Sequence, residues 1–109
     1  MPASTPSPPY YAVIFTSVRT GIDEGYDAMA EQMVKLAAEQ EGFLGVESAR
    51  NETGITVSYW KDLYSIKQCK QQTDHLQAQQ FGRQKWYETY KTRICLVERD
   101  YGFEKNGKP

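Results

Sequence analysis

The sequence predicts an α+β domain with the element order β-α-β-β-α-β. Three observations carry the prediction. Stretches rich in β-branched and aromatic residues recur along the chain, two stretches with apolar residues at helical spacing lie between them, and a short Asn- and Gly-bearing gap joins the middle pair of strands.

Tyr10 to Thr20 (YYAVIFTSVRT) reads as the first strand. Gly21 to Gly25 supplies a turn, with Asp23 the expected N-cap of the helix that follows. From Glu24 to Gln40, Tyr26, Met29, Ala30, Met33 and Ala37 form one apolar stripe, and Gly42 is the expected C-terminal cap. Phe43 to Arg50 and Ile55 to Trp60 are strands joined by a hairpin over 51–54. Asp62 can cap a second helix, in which Leu63, Ile66 and Cys69 or Lys70 keep the helical period. That helix is expected to run, with a break near Thr73 and Asp74, through His75 to about Tyr87. The last strand is placed from about Lys91 to Phe103.

This order is the split βαβ pattern of a ferredoxin-like sandwich, an antiparallel four-stranded sheet with both helices on one face. Apolar residues occupy both parities of the strands: Val13 and Phe15 alternate with Ile14 and Val18, and Ile94 and Leu96 alternate with Cys95 and Val97. Both faces are therefore expected to be buried, the free one by dimerisation through the sheets.

The domain is assigned to residues 10–104. It is flanked by a mobile Pro/Ser-rich tail over 1–9, which holds four of the five prolines, and by a frayed end over 105–109. Thirteen basic against fourteen acidic residues give a net charge of −1, without the electrostatic footprint of a general nucleic-acid binder. No apolar run approaches the ~20 residues of a membrane span, and the first residues lack the features of a secretion signal, so a cytoplasmic protein is expected. Cys69 and Cys95 do not suggest a disulfide framework, and no spacing suggests a metal site.

No catalytic motif stands out. His75 is the one side chain whose ordinary pKa lies near neutrality, and it follows Asp74, so it is the candidate general acid or base; the alternative is a histidine held at a helix end by a hydrogen bond. Of the fourteen aromatic residues most are expected in the core and a dimer seam, with Trp60, Trp86, Tyr87 and Tyr90 as candidate walls of a pocket for a flat apolar ligand. Ser17 and Arg19 share the parity of Val13 and Phe15 and are candidate polar contacts to such a ligand. Arg93, Glu98, Arg99 and Asp100 are read as rim ion pairs, and Cys69 as packing.

The stretches Gly42-Phe-Leu-Gly-Val-Glu-Ser-Ala-Arg50, Gly54-Ile-Thr-Val-Ser-Tyr-Trp60, His75-Leu-Gln-Ala-Gln79, Gly82 with Trp86-Tyr87, and Val97-Glu-Arg-Asp-Tyr-Gly-Phe103 resemble the antibiotic biosynthesis monooxygenase-like (ABM domain) family of the dimeric α/β-barrel superfamily. The resemblance implies a homodimer whose sheets pack face to face, with a cavity between each subunit's helices and its own sheet. It implies oxidation of a small aromatic or quinol substrate by molecular oxygen with no metal or flavin, the substrate itself supplying the electrons. Related proteins bind and degrade haem. Ser17 and Cys69 here stand where those have asparagine and tryptophan, and His75 lies about a helical turn before the expected ligand, where Gln79 aligns. Haem binding through His75, or a non-catalytic ligand-binding or stress-related dimer, are the alternative readings.

Overall fold

The computed structural model describes the backbone of residues 2–80 and 83–105, and the side chains of these apart from 74–80, 83 and 84. In chain order the elements are β1 (Tyr10–Arg19), α1 (Tyr26–Ala38), β2 (Phe43–Arg50), β3 (Thr53–Trp60), α2 (Leu63–Gln80), the short α3 (Arg83–Trp86) and β4 (Tyr87–Val97). The strands form one antiparallel sheet in the order β2-β3-β1-β4. This is the expected ferredoxin-like arrangement.

Both ends of the last strand and both caps of the first helix differ from the sequence reading. The last strand begins at Tyr87 and ends at Val97, where Val97 pairs with Tyr10. Beyond Tyr10 the chain turns into Pro8 and Pro9, which have no backbone N–H to extend a ladder, so residues after Val97 leave the sheet and Tyr101 and Phe103 are exposed. Asp23 does not cap α1. The N-cap is Gly25 at φ 79°, a left-handed conformation that favours glycine, while the Asp23 carboxylate pairs with Arg19 at 2.6 Å. The helix also closes at a Glu39 C-cap, so Gly42 serves the turn into β2 instead.

The second helix keeps its expected cap: Asp62 accepts the Ser65 N–H at 2.8 Å, and the Ser65 hydroxyl, then this N–H, hold its carboxyl below the usual range. No break occurs at Thr73, whose hydroxyl donates to the Cys69 carbonyl at 2.6 Å and so stays within the helical pattern.

Pairing register defines the two faces of the sheet, because residues opposite each other in an antiparallel ladder point the same way. Tyr11, Val13, Phe15 and Ser17 share the helix-facing side with Trp60, Ser58, Thr56 and Gly54 of β3 and with Leu96, Ile94, Thr92 and Tyr90 of β4. Tyr10, Ala12, Ile14 and Thr16 share the outer side with Tyr59, Val57 and Ile55 and with Val97, Cys95, Arg93 and Lys91. Met29 of α1 and Ile66 of α2 are buried, as are Trp60 and Trp86. The middle of the helix-facing side is not sealed. Val13, Phe15, Thr56 and Ser58 are only half-buried, and toward the β4 edge Tyr90, Ile94 and Leu96 are 43%, 53% and 50% exposed. Among the described residues the helix-facing side is thus left partly open toward β4.

The outer side carries a polar network that reaches the first residues of the chain. The Ala3 N–H donates to Glu47 Oε1 at 2.6 Å and the Tyr59 hydroxyl donates to Glu47 Oε2 at 2.8 Å. Thr5 donates to the Tyr10 hydroxyl at 3.0 Å, and Tyr10 donates to Asp100, which was read from sequence as a rim ion-pair residue. Burial, and then the bond to Glu47, push the Tyr59 phenol up to about 12, so it remains a donor at neutral pH. The Ala3 N–H, and then Tyr59, hold the Glu47 carboxyl below its ordinary range. Its contribution to stability is therefore full above the ordinary glutamate range and fades as pH falls through the lowered folded value. Glu47→Gln is expected to flatten the acid side of the stability profile between about pH 5 and 3, measured by urea midpoints. Parallel profiles for wild type and variant would contradict the assignment.

Candidate functional site

One row of residues crosses all four strands near the β1 C-terminal end. Arg50 of β2 pairs with Gly54 of β3, Gly54 pairs with Ser17 of β1, and Ser17 pairs with Tyr90 of β4. All four lie on the helix-facing side. The Arg50 side chain runs back along this row, and its guanidinium donates to the Ser17 hydroxyl. To get there it passes over Gly54, where any β-carbon would collide with the guanidinium atoms. The glycine is needed for that close approach. Ser17 is 2% exposed, and its buried hydroxyl has Arg50 as donor.

Around the end of this row stands an aromatic group. Phe15 meets Tyr87 at 5.5 Å and Tyr90 at 5.2 Å between ring centroids, and Tyr87 meets Tyr90 at 5.8 Å. Tyr26, at the start of α1, packs edge-on against Tyr87 and Trp86, and the Arg19 guanidinium lies 3.5 Å from the centre of its ring. Trp86 is buried and donates its indole N–H to the Glu24 carbonyl at 2.9 Å, while Thr20 N–H donates to the Trp86 carbonyl at 2.8 Å. These two bonds tie α3 to both ends of the β1–α1 loop. Burial, and then interaction with the Tyr26 hydroxyl, hold the Tyr87 phenol well above the ordinary tyrosine range, with the Arg50 and Arg19 cations pulling the other way. The arrangement can hold a flat ring against aromatic edges and offer it phenol and guanidinium donors.

Of the residues singled out from sequence, Ser17, Arg19, Trp86, Tyr87 and Tyr90 are gathered here. Trp60 is not. It pairs with Tyr11, six residues from Ser17 along β1 and thus roughly 20 Å away, buried against Phe43 with its indole N–H on Ser58 at 2.9 Å. Cys69 is half-buried on α2, its thiol pushed up by burial, with sulfur 3.8 Å from the Thr73 hydroxyl. The backbone of His75 belongs to α2, and its side chain lies outside the described residues. Phe15, Tyr26 and Arg50 went unnamed as site residues. For Arg50 the sequence offers no periodic signal, since its place opposite Gly54 is fixed only by the pairing register. Among the described residues no three of His, Cys, Asp and Glu gather as a metal site.

No family model matches the chain. The uncharacterised protein YqjZ of Bacillus subtilis (strain 168) is 50% identical over 106 residues, which cover 95% of this chain and 93% of that protein. In three dimensions the chain superposes on SnoaB, a cofactor-independent oxygenase from Streptomyces nogalater, with a TM-score of 0.70 over 85% of this chain and 97% of that one, at 11% identity. It also superposes on a Chloroflexus aurantiacus protein provisionally designated an antibiotic biosynthesis monooxygenase, with a TM-score of 0.59 over 85% and 97% of the two chains, at 17% identity. The fold is thus that of the antibiotic biosynthesis monooxygenase-like proteins.

The raised Tyr87 phenol gives a direct check on the geometry. In an alkaline titration followed by tyrosinate absorbance, Tyr87→Phe is expected to remove a phenol that titrates well after the ordinary tyrosine range. Loss of an ordinary, early-titrating phenol instead would mean that Tyr87 is not enclosed as described.

Proposed function

The chain belongs to the family of Bacillus subtilis YqjZ, and from that premise we propose that it is a cytoplasmic homodimer that oxidises a small aromatic or quinol substrate with molecular oxygen, without metal or flavin. The observation that carries this reading is the cluster of rings on the partly open helix-facing side of the sheet, which we take as the wall of a substrate cleft. Phe15, Tyr26, Tyr87 and Tyr90 line it, Ser17 is buried behind them, and it opens toward the β4 edge. The fold it shares with a cofactor-independent oxygenase supports the same reading.

In this chemistry the protein binds the ring, helps remove a proton, and stabilises the resulting anion. Oxygen adds to the electron-rich ring carbon, the O–O bond then breaks, one oxygen stays on that carbon and the other leaves as water. In an anthrone a ring CH₂ and O₂ thus become C=O and H₂O, and in a quinol a ring C–H is hydroxylated as the ring passes to the quinone with release of H₂O, with all electrons drawn from the substrate. Trp86, Tyr87 and Tyr90 serve as walls or supports, Trp60 closes the far end of the sheet, and Ser17 and Arg19 supply polar contacts. His75 is assigned the proton transfer, as the side chain with the appropriate ordinary pKa.

After exhaustive chelation the protein is expected to speed oxygen uptake by anthrone or a 1,4-quinol, measured at an oxygen electrode against the uncatalysed rate. His75→Ala should slow it roughly 10²-fold if His75 is the base. Unchanged uptake in the variant removes His75 from the mechanism, and uptake equal to the protein-free rate contradicts the oxygenase reading. The homodimer is assigned to the outer side of the sheet, where Ile14 and Val57 lie side by side and Ile55 is exposed. Val57→Glu is expected to yield a destabilised monomer by light scattering. A fully folded wild-type monomer at micromolar concentration would contradict the dimer.

A further inference from the structure

Among the described residues the Arg50 guanidinium has no carboxylate partner. Its only hydrogen bond among the described residues goes to Ser17, which leaves most of its five N–H donors unused. The second cation of the site, Arg19, pairs with Asp23 on the far side, where that carboxylate is 83% exposed, and its Nε is buried with no acceptor. Arg19 stacks on Tyr26, which packs against Tyr87, and Arg50 reaches Ser17 opposite Tyr90, so both cations flank the same group of rings. Arg50 is exposed at the end of β2, so an anion can reach its free donors from solvent. The approach is fixed from two sides, by the buried Ser17 hydroxyl and by the missing side chain of Gly54.

We propose that the Arg50–Gly54–Ser17 row is an anion subsite and that the ligand of the cleft is a planar aromatic carboxylate. A guanidinium edge matches the two oxygens of a carboxylate, and the rings of Phe15, Tyr87 and Tyr90 fit the flat body that carries it. This rests on the cleft of the preceding section being the substrate site. It adds that the substrate is an aromatic acid, with Arg50 as the residue that selects it.

The test is equilibrium binding without oxygen, using 1-hydroxy-2-naphthoate, its amide and neutral 1-naphthol as fluorescent probes. Wild-type protein is expected to bind the carboxylate more tightly than either neutral probe. Arg50→Gln should weaken the carboxylate by about 10- to 100-fold and leave 1-naphthol unchanged, as expected for the loss of a charge-assisted contact. Arg50→Lys, which keeps the charge without the fork, should fall between, and Gly54→Ala should weaken the carboxylate selectively by displacing the guanidinium. Equal binding of carboxylate and amide overturns the proposal, as does undiminished carboxylate binding in a folded Arg50→Gln or Arg50→Lys protein, or no saturable carboxylate binding in wild type. Selective binding together with no oxygen uptake would retain the anion subsite and remove the oxygenase reading. Oxygen uptake with neutral phenols alone would do the reverse.

Discussion

Ser17 pairs with Gly54 on one side and with Tyr90 on the other, and Gly54 pairs in turn with Arg50, so three separate strand pairings must keep their register for one row to exist. A slip of one residue in any of them would send that strand's side chains to the opposite face. Arg50 would then reach the outer side, or meet a side chain where it now crosses bare backbone. The same register places Phe15 one step along the sheet from Ser17 and lets the bulge after Val18 bring Tyr87 opposite Arg19. The aromatic group and the path of Arg50 both follow from the ladder. The helices only cover it, and incompletely.

That incomplete cover also explains the distribution of apolar residues on both sides of the sheet. On the helix-facing side the exposed Ile94 and Leu96 belong to the edge strand β4, beyond the reach of the helix layer. On the outer side Ile14 and Val57 lie in one row with Glu47, where Ala3 attaches, and the exposed Ile55 lies two residues further along β3. A strand apolar on both parities needs two covers, and the chain's own helices can supply only one.

Much of the architecture was legible because it rests on local rules. The bounds of β2, the Asp62 cap and the element order follow from residue propensity, capping chemistry and period. The errors arose where distant parts of the chain decide. The end of β4 is set by where β1 starts, and β1 starts where Pro8 and Pro9 stop donating hydrogen bonds. Asp23 has the chemistry of a cap but is claimed by Arg19, which brings it to the loop rather than to the helix. Within the site, Ser17, Arg19, Trp86, Tyr87 and Tyr90 were readable from residue type and parity, yet Trp60 of the same type lies at the other end of its strand. Arg50 was hidden for the opposite reason. Its role depends on a long side chain crossing a neighbouring strand, and no periodicity within β2 records that path.

The central claim is that ligand binds at the Ser17 end of the cleft, on the helix-facing side of the sheet. Amide chemical-shift mapping with a non-reacting flat ring such as 2-naphthol tests it most directly. The account predicts perturbations centred on Ser17, Arg19, Arg50, Gly54, Tyr87 and Tyr90, with Trp60 and the outer-side Ile14 and Val57 unaffected. Perturbations centred on the Trp60 end or on the outer side, with the Ser17 row silent, would contradict it.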